Sequence, residues 1–337
     1  MAVTINDVAK EAGVSITTVS RVINGNYPVK QETRQRVEEA IKKLNFQPNP
    51  IARSLVSRKT NSIGIVVPSI TNMYFTEVVD GIEKYARNNS YDIFLNITNG
   101  DAKVEINAVN KFIERYVDGI IVVDPQTENI LSGFYNEIVN TVPVVFVNGY
   151  HQEIDLSFVI SNEENGFKNA LKHLNKTGHK NIIFVRGESS YSYDLKENIY
   201  RKFIKNIGSI EYVLTVNAGN SIEVVENTKK SIINVSRDIK LGEDFTALIA
   251  CNDLMATGAL NACLELGIKV PDEFSIIGFD NIILSQMTTP KLSTVDQNMK
   301  KLGEKSAEML FNYIESGYEA DKVLINTKLI LRESCRI

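Results

Sequence analysis

The sequence predicts two parts: an N-terminal all-α helix-turn-helix head, and an α/β core of two lobes with parallel sheets. Three amphipathic helical patterns crowd into the first 45 residues. From residue 62 onward, short β-branched runs alternate with helical patterns, which is typical of parallel sheets covered on both faces. We therefore expect a head at 1–48, a hinge or linker at 49–60 and a core at 61–337.

Charge is divided unevenly along the 337 residues, whose net charge is −4. Residues 1–60 hold ten Lys and Arg against five Asp and Glu, so this part carries +5 and the remainder carries −9. A basic head on an acidic body favours a polyanionic partner that meets only the head, because the body would repel phosphates.

Cysteine usage and hydropathy indicate the compartment. Cys251, Cys263 and Cys335 are an odd number without CxxC or metal-ligand spacing, which argues against disulfides and for a reducing compartment. Residues 1–10 contain no apolar signal region, and no stretch approaches the uninterrupted apolar length of a membrane span. We expect a cytoplasmic protein that does not enter the membrane.

The first helix follows Thr4, a capping residue with Asp7 three positions on, and Gly13 ends the pattern. Its apolar residues recur with helical spacing at Ile5, Val8, Ala9 and Ala12.

The second helix is predicted at Ile16–Asn24, after the favoured N-cap Ser15 and before Gly25. Two helices joined at residues 13–14 indicate a helix-turn-helix, whose second helix enters the major groove of DNA. Its outward stripe offers a methyl contact, hydroxyls and a guanidinium to base edges, from Ile16, Thr17, Ser20 and Arg21. Arg21 is the best candidate for contacting a guanine, and a third helix at Gln31–Leu44 closes the small core.

These residues carry a family resemblance. The stretch VTINDVAKEAGVSITTVSRVINGN, residues 3–26, resembles the opening of the lactose-repressor (LacI/GalR) family, and the match continues through ETRQRVEEAIKKLNFQPNPIARSL and essentially the whole chain. The resemblance implies a transcription regulator that binds double-stranded operator DNA as a homodimer. It also implies a hinge helix at Pro50–Arg58 with Leu55 as an apolar wedge in the minor groove. The expected DNA contacts are Thr4, Ser15, Ile16, Thr17, Thr18, Ser20, Arg21, Asn24, Ala52, Arg53 and Leu55.

Eight strand patterns follow in two groups of four: SIGIVVP, YDIFLNIT, DGIIVVD and VPVVFVN, then NIIFVRG, EYVLTV, FTALIAC and FSIIGFD. The break between the groups falls near Val159–Asn165, and the segment Pro290–Gln297 would carry the chain back to the first lobe. We place the first lobe at about 61–160 and 291–325, and the second lobe at about 161–290 and 326–337.

The core resembles the periplasmic-binding-protein-like core of the same family, with a ligand in the cleft between the lobes. Independently, ligands of parallel sheets sit outside the carboxyl ends of the strands. Polar and aromatic side chains at the predicted strand ends suit a sugar or similar polyol. The candidate effector-binding residues are Ser69, Tyr74, Phe75, Asn148, Ser190, Ser192, Lys196, Asn252 and Asp280.

Two of these candidates have a structural alternative. Asn252 and Asp280 could instead cap the helices that follow their strands, and Asp253 looks a better cap than Asn252.

Three positions depart from the family pattern and bear on the ligand. Lys196 stands where sugar-binding or purine-binding members commonly carry an arginine, and lysine cannot make the planar two-pronged contact. Ser221 stands where many members have a stacking aromatic residue. Asn148 stands where aspartate is frequent.

Helical patterns at Asn72–Asn88 and Val295–Tyr313 are the expected dimer surface, as the resemblance implies. Two-fold symmetry is expected because one head reads only half of an operator.

Three classes of function compete. The leading hypothesis is a repressor whose operator affinity is changed by a small-molecule effector, through a coupling free energy of roughly 1–3 kcal/mol. The second is control by a phosphorylated protein, because the head segment NYPVKQETRQRV resembles the carbon catabolite control proteins; against it, Glu308 stands where that resemblance predicts an arginine.

The third is an enzyme, which we do not expect. His151, His173 and His179 lack zinc spacing, and no nucleophile or nucleotide motif occurs, so no cofactor and no metal is predicted.

Overall fold

The structure is a computed structural model that describes residues 3–25, 27–47, 59–149, 154–188, 190–217 and 219–337. The chain divides into two compact units, residues 1–60 and residues 61–337. None of the described helices is both long and apolar enough to cross a membrane.

Three short helices form the first unit: α1 (Ile5–Ala12), α2 (Ile16–Asn24) and α3 (Gln31–Lys43). Their apolar faces meet in a small core in which Val8, Val19 and Val37 are fully buried. The turn between α1 and α2 starts at Gly13, whose positive φ of 63° suits glycine best, because a Cβ is strained in this conformation. The helix-turn-helix predicted from the sequence is therefore present, with α3 ending one residue earlier than expected.

The second unit alternates strands and helices. In chain order its described elements are β1 (Ser62–Val67), α4 (Met73–Asn88), β2 (Asp92–Ile97), α5 (Ala102–Glu114), β3 (Gly119–Val123), α6 (Thr127–Leu131), α7 (Phe134–Ile138), β4 (Val144–Val147), β5 (Ser157–Ser161), α8 (Glu163–Lys176), β6 (Ile182–Gly187), α9 (Tyr191–Asn206), β7 (Val213–Val216), α10 (Val224–Val235), β8 (Ala247–Ala250), α11 (Asp253–Leu266), β9 (Ser275–Ile277), α12 (Leu284–Met287), β10 (Thr294–Asp296), α13 (Met299–Ser316), β11 (Lys322–Ile325) and β12 (Lys328–Ile330).

Two parallel sheets organise these elements. The first has the order β11-β5-β4-β3-β1-β2 and the second the order β7-β6-β8-β9. Strands β10 and β12 form a separate antiparallel pair. Strands β1, β3, β4, β6 and β8 are buried along their whole length, as expected for strands covered by helices on both faces. In each sheet the strand order reverses beside the first strand, and polar crevices form at such reversals.

All eight predicted strands are present, but the sequence did not reveal the rest. Strand β5 has serine at both ends and pairs with β11, which lies far along the chain, so no local pattern marked it. The helix predicted from Val295 begins instead at Met299. That prediction was wrong because residues 294–296 pair with β12, and Asn298 then adopts a left-handed conformation with φ 57°.

Helices α4 and α13 cross at very close range. A Cβ on Gly303 would lie 2.1 Å from the carbonyl oxygen of Val78, and a Cβ on Gly81 would lie 2.2 Å from that of Lys300. The two backbones therefore touch where only glycine fits.

Gly303→Ala should lower the free energy of unfolding by about 1–3 kcal/mol, because the added methyl group forces the two helices apart. Urea unfolding of the full chain measures this change, and Lys301→Ala, an exposed substitution in the same helix, is the control. An unchanged urea midpoint for Gly303→Ala would show that the helices can separate freely.

Candidate functional site

The second helix of the head is fixed at its N-terminus by side-chain hydrogen bonds. The Ser15 hydroxyl accepts the Thr18 N–H at 3.2 Å and lies 2.9 Å from the Thr18 hydroxyl. At the start of α1, the Asp7 carboxylate accepts the Thr4 N–H at 2.8 Å and the Thr4 hydroxyl at 2.7 Å. These two backbone and side-chain bonds from Thr4 lower the pKa of Asp7. Thr4, Ser15 and Thr18 thus hold the helix ends.

The face of α2 that was predicted to contact DNA is largely exposed. Ile16 is 49% exposed although it is a large apolar side chain, and Thr17 and Arg21 are also exposed. Ser20 is half-buried. The Arg21 guanidinium lies 5.1 Å from the ring centroid of Tyr27, a cation–π distance. This stacking pre-orients the guanidinium while its hydrogen-bond donors stay accessible.

Four of the predicted DNA contacts fall outside what the structure describes: the side chain of Asn24, together with Ala52, Arg53 and Leu55.

Two adjoining cavities lie at the carboxyl ends of the strands in the core. The larger has a volume of about 390 Å³ and the smaller about 40 Å³, and Asp124, Ser190, Tyr193 and Asn220 line both. All nine predicted effector-binding residues border one cavity or both. Ser69 borders the larger, Ser190 borders both, and the smaller is bordered by Tyr74, Phe75, Asn148, Ser192, Lys196, Asn252 and Asp280. Their contact with a ligand remains a prediction.

At the ends of the strands, a backbone with positive φ directs three polar side chains toward the cleft. Asp124 follows β3 with φ 50°, Asn148 follows β4 with φ 59°, and near β9 Asp280 has φ 115°. Such conformations cost non-glycine residues roughly 1–3 kcal/mol each and cluster at binding sites. The strands would otherwise direct these side chains alternately into the two apolar layers.

A chain of hydrogen bonds connects the two lobes along the smaller cavity. The Asn148 amide donates to the Tyr74 hydroxyl at 2.7 Å and its oxygen accepts the Ser161 N–H at 3.0 Å. The Ser161 hydroxyl donates to the Gln297 side-chain oxygen, and the Gln297 amide donates to Asp280 at 2.6 Å. The five residues run without interruption from the end of β9 to the first turn of α4.

The capping alternative is resolved in favour of Asn252, so the preference for Asp253 as the cap was wrong. The Asn252 oxygen accepts the Met255 N–H at 2.9 Å, while its amide donates to the Gly219 carbonyl, also at 2.9 Å. Asp253 turns inward instead and accepts the Ile282 N–H at 2.9 Å and the Thr294 hydroxyl at 2.5 Å. Asp280 caps no helix, because α12 begins after Ile283.

Lys196 lies in an ion pair beneath the smaller cavity. Its ammonium is 2.7 Å from the Glu163 carboxylate, 2.6 Å from the Ser192 hydroxyl and 4.0 Å from the ring centroid of Phe279. Burial is the largest single influence on the pKa of Lys196 and lowers it, but the surrounding groups, with Glu163 first among them, together raise it and the net shift is upward. The ammonium is thus charged and already paired within the protein.

In two other carboxyl groups of the cleft, Asp124 and Asp280, burial and neighbouring carboxylates outweigh the attraction of Lys196. Burial, followed by repulsion from Glu163, raises the pKa of Asp124 to about 7. Burial and the nearby Asp253 carboxylate raise the pKa of Asp280 well above its usual value. Desolvation is therefore the dominant cost of ionising both groups.

The cleft residues that the sequence analysis missed include Asp124, Glu163, Tyr193, Asn220 and Gln297. The rule that selected Asn148, a polar residue directly after a buried strand, would also have found Asp124. The others lie in crossovers and helices where no local pattern separates them from surface positions. Across the described part of the chain, no group of three or more side chains could hold a metal ion.

Known proteins resemble this chain along its length. Residues 4–49 match the bacterial regulatory proteins of the lacI family, and residues 171–335 match the periplasmic binding protein-like domain. The HTH-type transcriptional repressor PurR of Mannheimia succiniciproducens is 33% identical over 338 residues, covering 99% of this chain and 98% of that protein. Catabolite control protein A of Priestia megaterium is 34% identical over 317 residues, 93% of each chain. The lac repressor dimer bound to operator and the anti-inducer ONPF superposes with a TM-score of 0.88 at 25% identity, covering 99% of both chains.

Lys196→Met should lower the free energy of unfolding by about 3–5 kcal/mol, because it strands the Glu163 charge in the interior. The double variant Lys196→Met/Glu163→Gln should lose less, since no charge is then left unpaired. Chemical denaturation of the full chain measures both variants.

The matched control for this prediction is Lys168→Met. Lys168 pairs with Glu164 on the exposed face of α8, and such surface pairs contribute about 0–1 kcal/mol. Equal losses for Lys196→Met and Lys168→Met would contradict the stabilising role of the buried pair.

Proposed function

The chain belongs to the lacI family of bacterial regulatory proteins and is a DNA-binding transcription regulator, and from this premise we propose how its parts act. The head at 1–48 binds operator DNA through α2, and the hinge at 49–60 enters the minor groove with Leu55. The core at 61–337 binds a small molecule in the cleft, and this binding changes the affinity of the protein for operator DNA and thereby represses or releases transcription. This activity belongs in the cytoplasm, at the nucleoid.

The exposed stripe on α2 is the observation that carries the DNA-binding proposal. An apolar side chain such as Ile16 is normally buried, so its exposure beside Thr17 and Arg21 favours a surface that another molecule covers. A guanidinium held against Tyr27 suits a two-pronged contact with the O6 and N7 atoms of guanine.

The pairing of lysines on α13 favours small-molecule control over control by a phosphorylated protein. A phosphoprotein would need unpaired cations, but two of the three lysines on α13 are paired with carboxylates: Lys300 lies 2.9 Å from Asp80, and Lys305 lies 2.5 Å from Glu308. The second hypothesis rests on the likeness to catabolite control protein A. Retention of this chain on an immobilised phosphorylated carrier protein, with no response to any small molecule, would favour it.

We do not propose catalysis. Burial raises the pKa of the Cys251 thiol beside the cleft to about 12, so the thiolate nucleophile is suppressed. His179 contacts the Thr246 hydroxyl at 2.8 Å, and burial lowers its pKa to about 4. Neither group is poised as a nucleophile or base.

We further propose a homodimer that uses the edge of the first sheet. Strand β2 is an edge strand, and its Leu95 and Ile97 are exposed on the side of the sheet where α4 and α13 pack. An uncovered apolar edge invites association, and a two-fold partner covers it while it pairs the two heads. On this proposal, part of the dimer surface lies on β2, beside the helices expected from the sequence.

Leu95→Asp should convert the dimer to monomer at concentrations where the wild type is dimeric, because it buries a charge in the interface. Sedimentation velocity measures the change. Val104→Asp is the control, since Val104 on α5 is 41% exposed, as Leu95 is 42% exposed, but α5 packs on the opposite face of the sheet. A Leu95→Asp dimer as tight as the control would place the interface elsewhere.

Arg21→Ala should cost about 1–3 kcal/mol of operator affinity and relax selection at one base position. A preferred site is first selected from random DNA with the full chain, and anisotropy titrations then compare that site with its single-base variants. The control Arg36→Ala removes an exposed charge from α3 and should weaken all sequences alike. An unchanged base preference for Arg21→Ala would remove Arg21 from base recognition.

A further inference from the structure

The Asp124 carboxylate in the cleft accepts no hydrogen bond from the part of the chain that the structure describes. Asp124 borders both cavities, and its left-handed backbone turns it away from the strand β3 that precedes it. Among the described residues, no N–H or O–H group donates a hydrogen bond to this carboxylate. Its backbone N–H is used in the sheet, where it donates to Val147 at 2.8 Å.

The surroundings of Asp124 do not neutralise its charge. Glu163 repels it, and the attraction of Lys196 is weakened because that ammonium is 2.7 Å from Glu163. Glu105 adds a further repulsion from α5. The described lining of the larger cavity contains the acidic residues Asp124 and Glu188 and no Lys, Arg or His.

A charged group in a half-buried site needs an opposite charge or hydrogen-bond donors to offset its loss of hydration. A phosphate or carboxylate ligand would meet two carboxylates and no cation in the described lining of the larger cavity, so it is disfavoured. An uncharged sugar would leave Asp124 either protonated or uncompensated. A protonated amine supplies the missing charge and the missing hydrogen-bond donors together.

On the premise that the cleft holds the effector, we propose that this effector is a polyhydroxylated amine of the amino-sugar class, whose ammonium pairs with the Asp124 carboxylate.

The remaining lining suits the rest of such a ligand. Ser69, Gln126 and Asn220 offer hydroxyl and amide groups for sugar hydroxyls, and Tyr193 offers an aromatic ring. The Tyr193 hydroxyl donates to the Asn220 oxygen at 2.7 Å, which leaves the Asn220 amide free to donate. The volume of about 390 Å³ lies within the range of small-molecule sites, roughly 300–1,000 Å³.

The pKa of Asp124, which burial and Glu163 raise to about 7, agrees with a carboxyl group that awaits a cation. An ammonium ligand favours the ionised form and lowers this pKa.

The test uses matched sets of one sugar ring in three charge states. The probes are glucose, galactose and mannose, their 2-amino-2-deoxy forms and their 6-phosphates, added to the full chain near neutral pH. Thermal unfolding identifies binders, because a ligand that binds only the folded state raises the melting temperature. Calorimetric titration then compares each binder with its two matched forms.

We expect at least one amino sugar to bind about tenfold or more tightly than its neutral parent, and the phosphates not to bind. Asp124→Asn should abolish this preference and bring the parent sugar level with the amine. Glu128→Gln, which removes an exposed carboxylate beside the cleft but outside its lining, should keep the preference. Failure of every amino sugar to exceed its parent, or tighter binding of a phosphate, would overturn the proposal.

Operator binding measured with the same probes separates this inference from the proposed function. A neutral sugar or phosphate that binds and changes operator affinity would preserve small-molecule control and overturn the amine. An amino sugar that depends on Asp124 for binding, yet leaves operator affinity unchanged, would preserve the ligand class and overturn control by the cleft.

Discussion

Burial of parallel strands on both faces is the constraint on which the core depends. Strands such as β3 and β4 lie between two apolar layers, so a polar side chain can emerge only beyond their last residue. Because all strands of a parallel sheet point the same way, these residues gather at one edge. Two such edges face each other across the cleft, which is why Asp124, Asn148 and Asp280 converge from positions far apart in the sequence.

Polar and charged groups that gather at this edge lose contact with water, and the desolvation of the charged ones is unfavourable. The protein offsets this cost by pairing for some of these groups but not for all. The Lys196–Glu163 pair is internally neutral, and a second N–H of the ammonium donates to the Ser192 hydroxyl. Asp280 is satisfied in hydrogen bonding by Gln297 but shares its surroundings with Asp253. Asp124 has no hydrogen-bond donor among the described residues, and the one cation that attracts it, Lys196, is already paired with Glu163. The Asp124 carboxylate therefore faces the larger cavity without full compensation of its charge, and a cationic ligand can provide that compensation.

Local chemistry explains how much the sequence predicted. The caps Thr4 and Ser15, the left-handed glycine between α1 and α2, and the uninterrupted β-branched runs all act within a few residues, so they were visible as patterns. Residues whose role depends on partners far away in the sequence were not visible as local patterns. Glu163 begins a helix like many acidic residues, and only the fold brings Lys196 to it.

The same reasoning explains the individual errors. Val295 has helical spacing with the residues that follow, but its pairing with Leu329, 34 positions away, decides its structure. Asn252 and Asp253 are both good caps by type, and the choice between them is made by Thr294 and Ile282, which claim the Asp253 carboxylate. Local propensity proposes two solutions here, and tertiary contacts select one.

The hydrogen-bond chain from Asp280 to Tyr74 gives the cleft a route by which a ligand can act on the first lobe. A ligand changes a conformational balance only as far as it binds one arrangement better than the other. Ser161 and Gln297 lie in the segments that cross between the lobes, so a change in lobe angle must break or rebuild their bonds. At the far end, Tyr74 stands in the first turn of α4, and the backbone contacts at Gly81 and Gly303 couple this helix to α13 without slack. A displacement at the cleft therefore moves the two helices as one body, since interfaces packed this closely shift rather than deform.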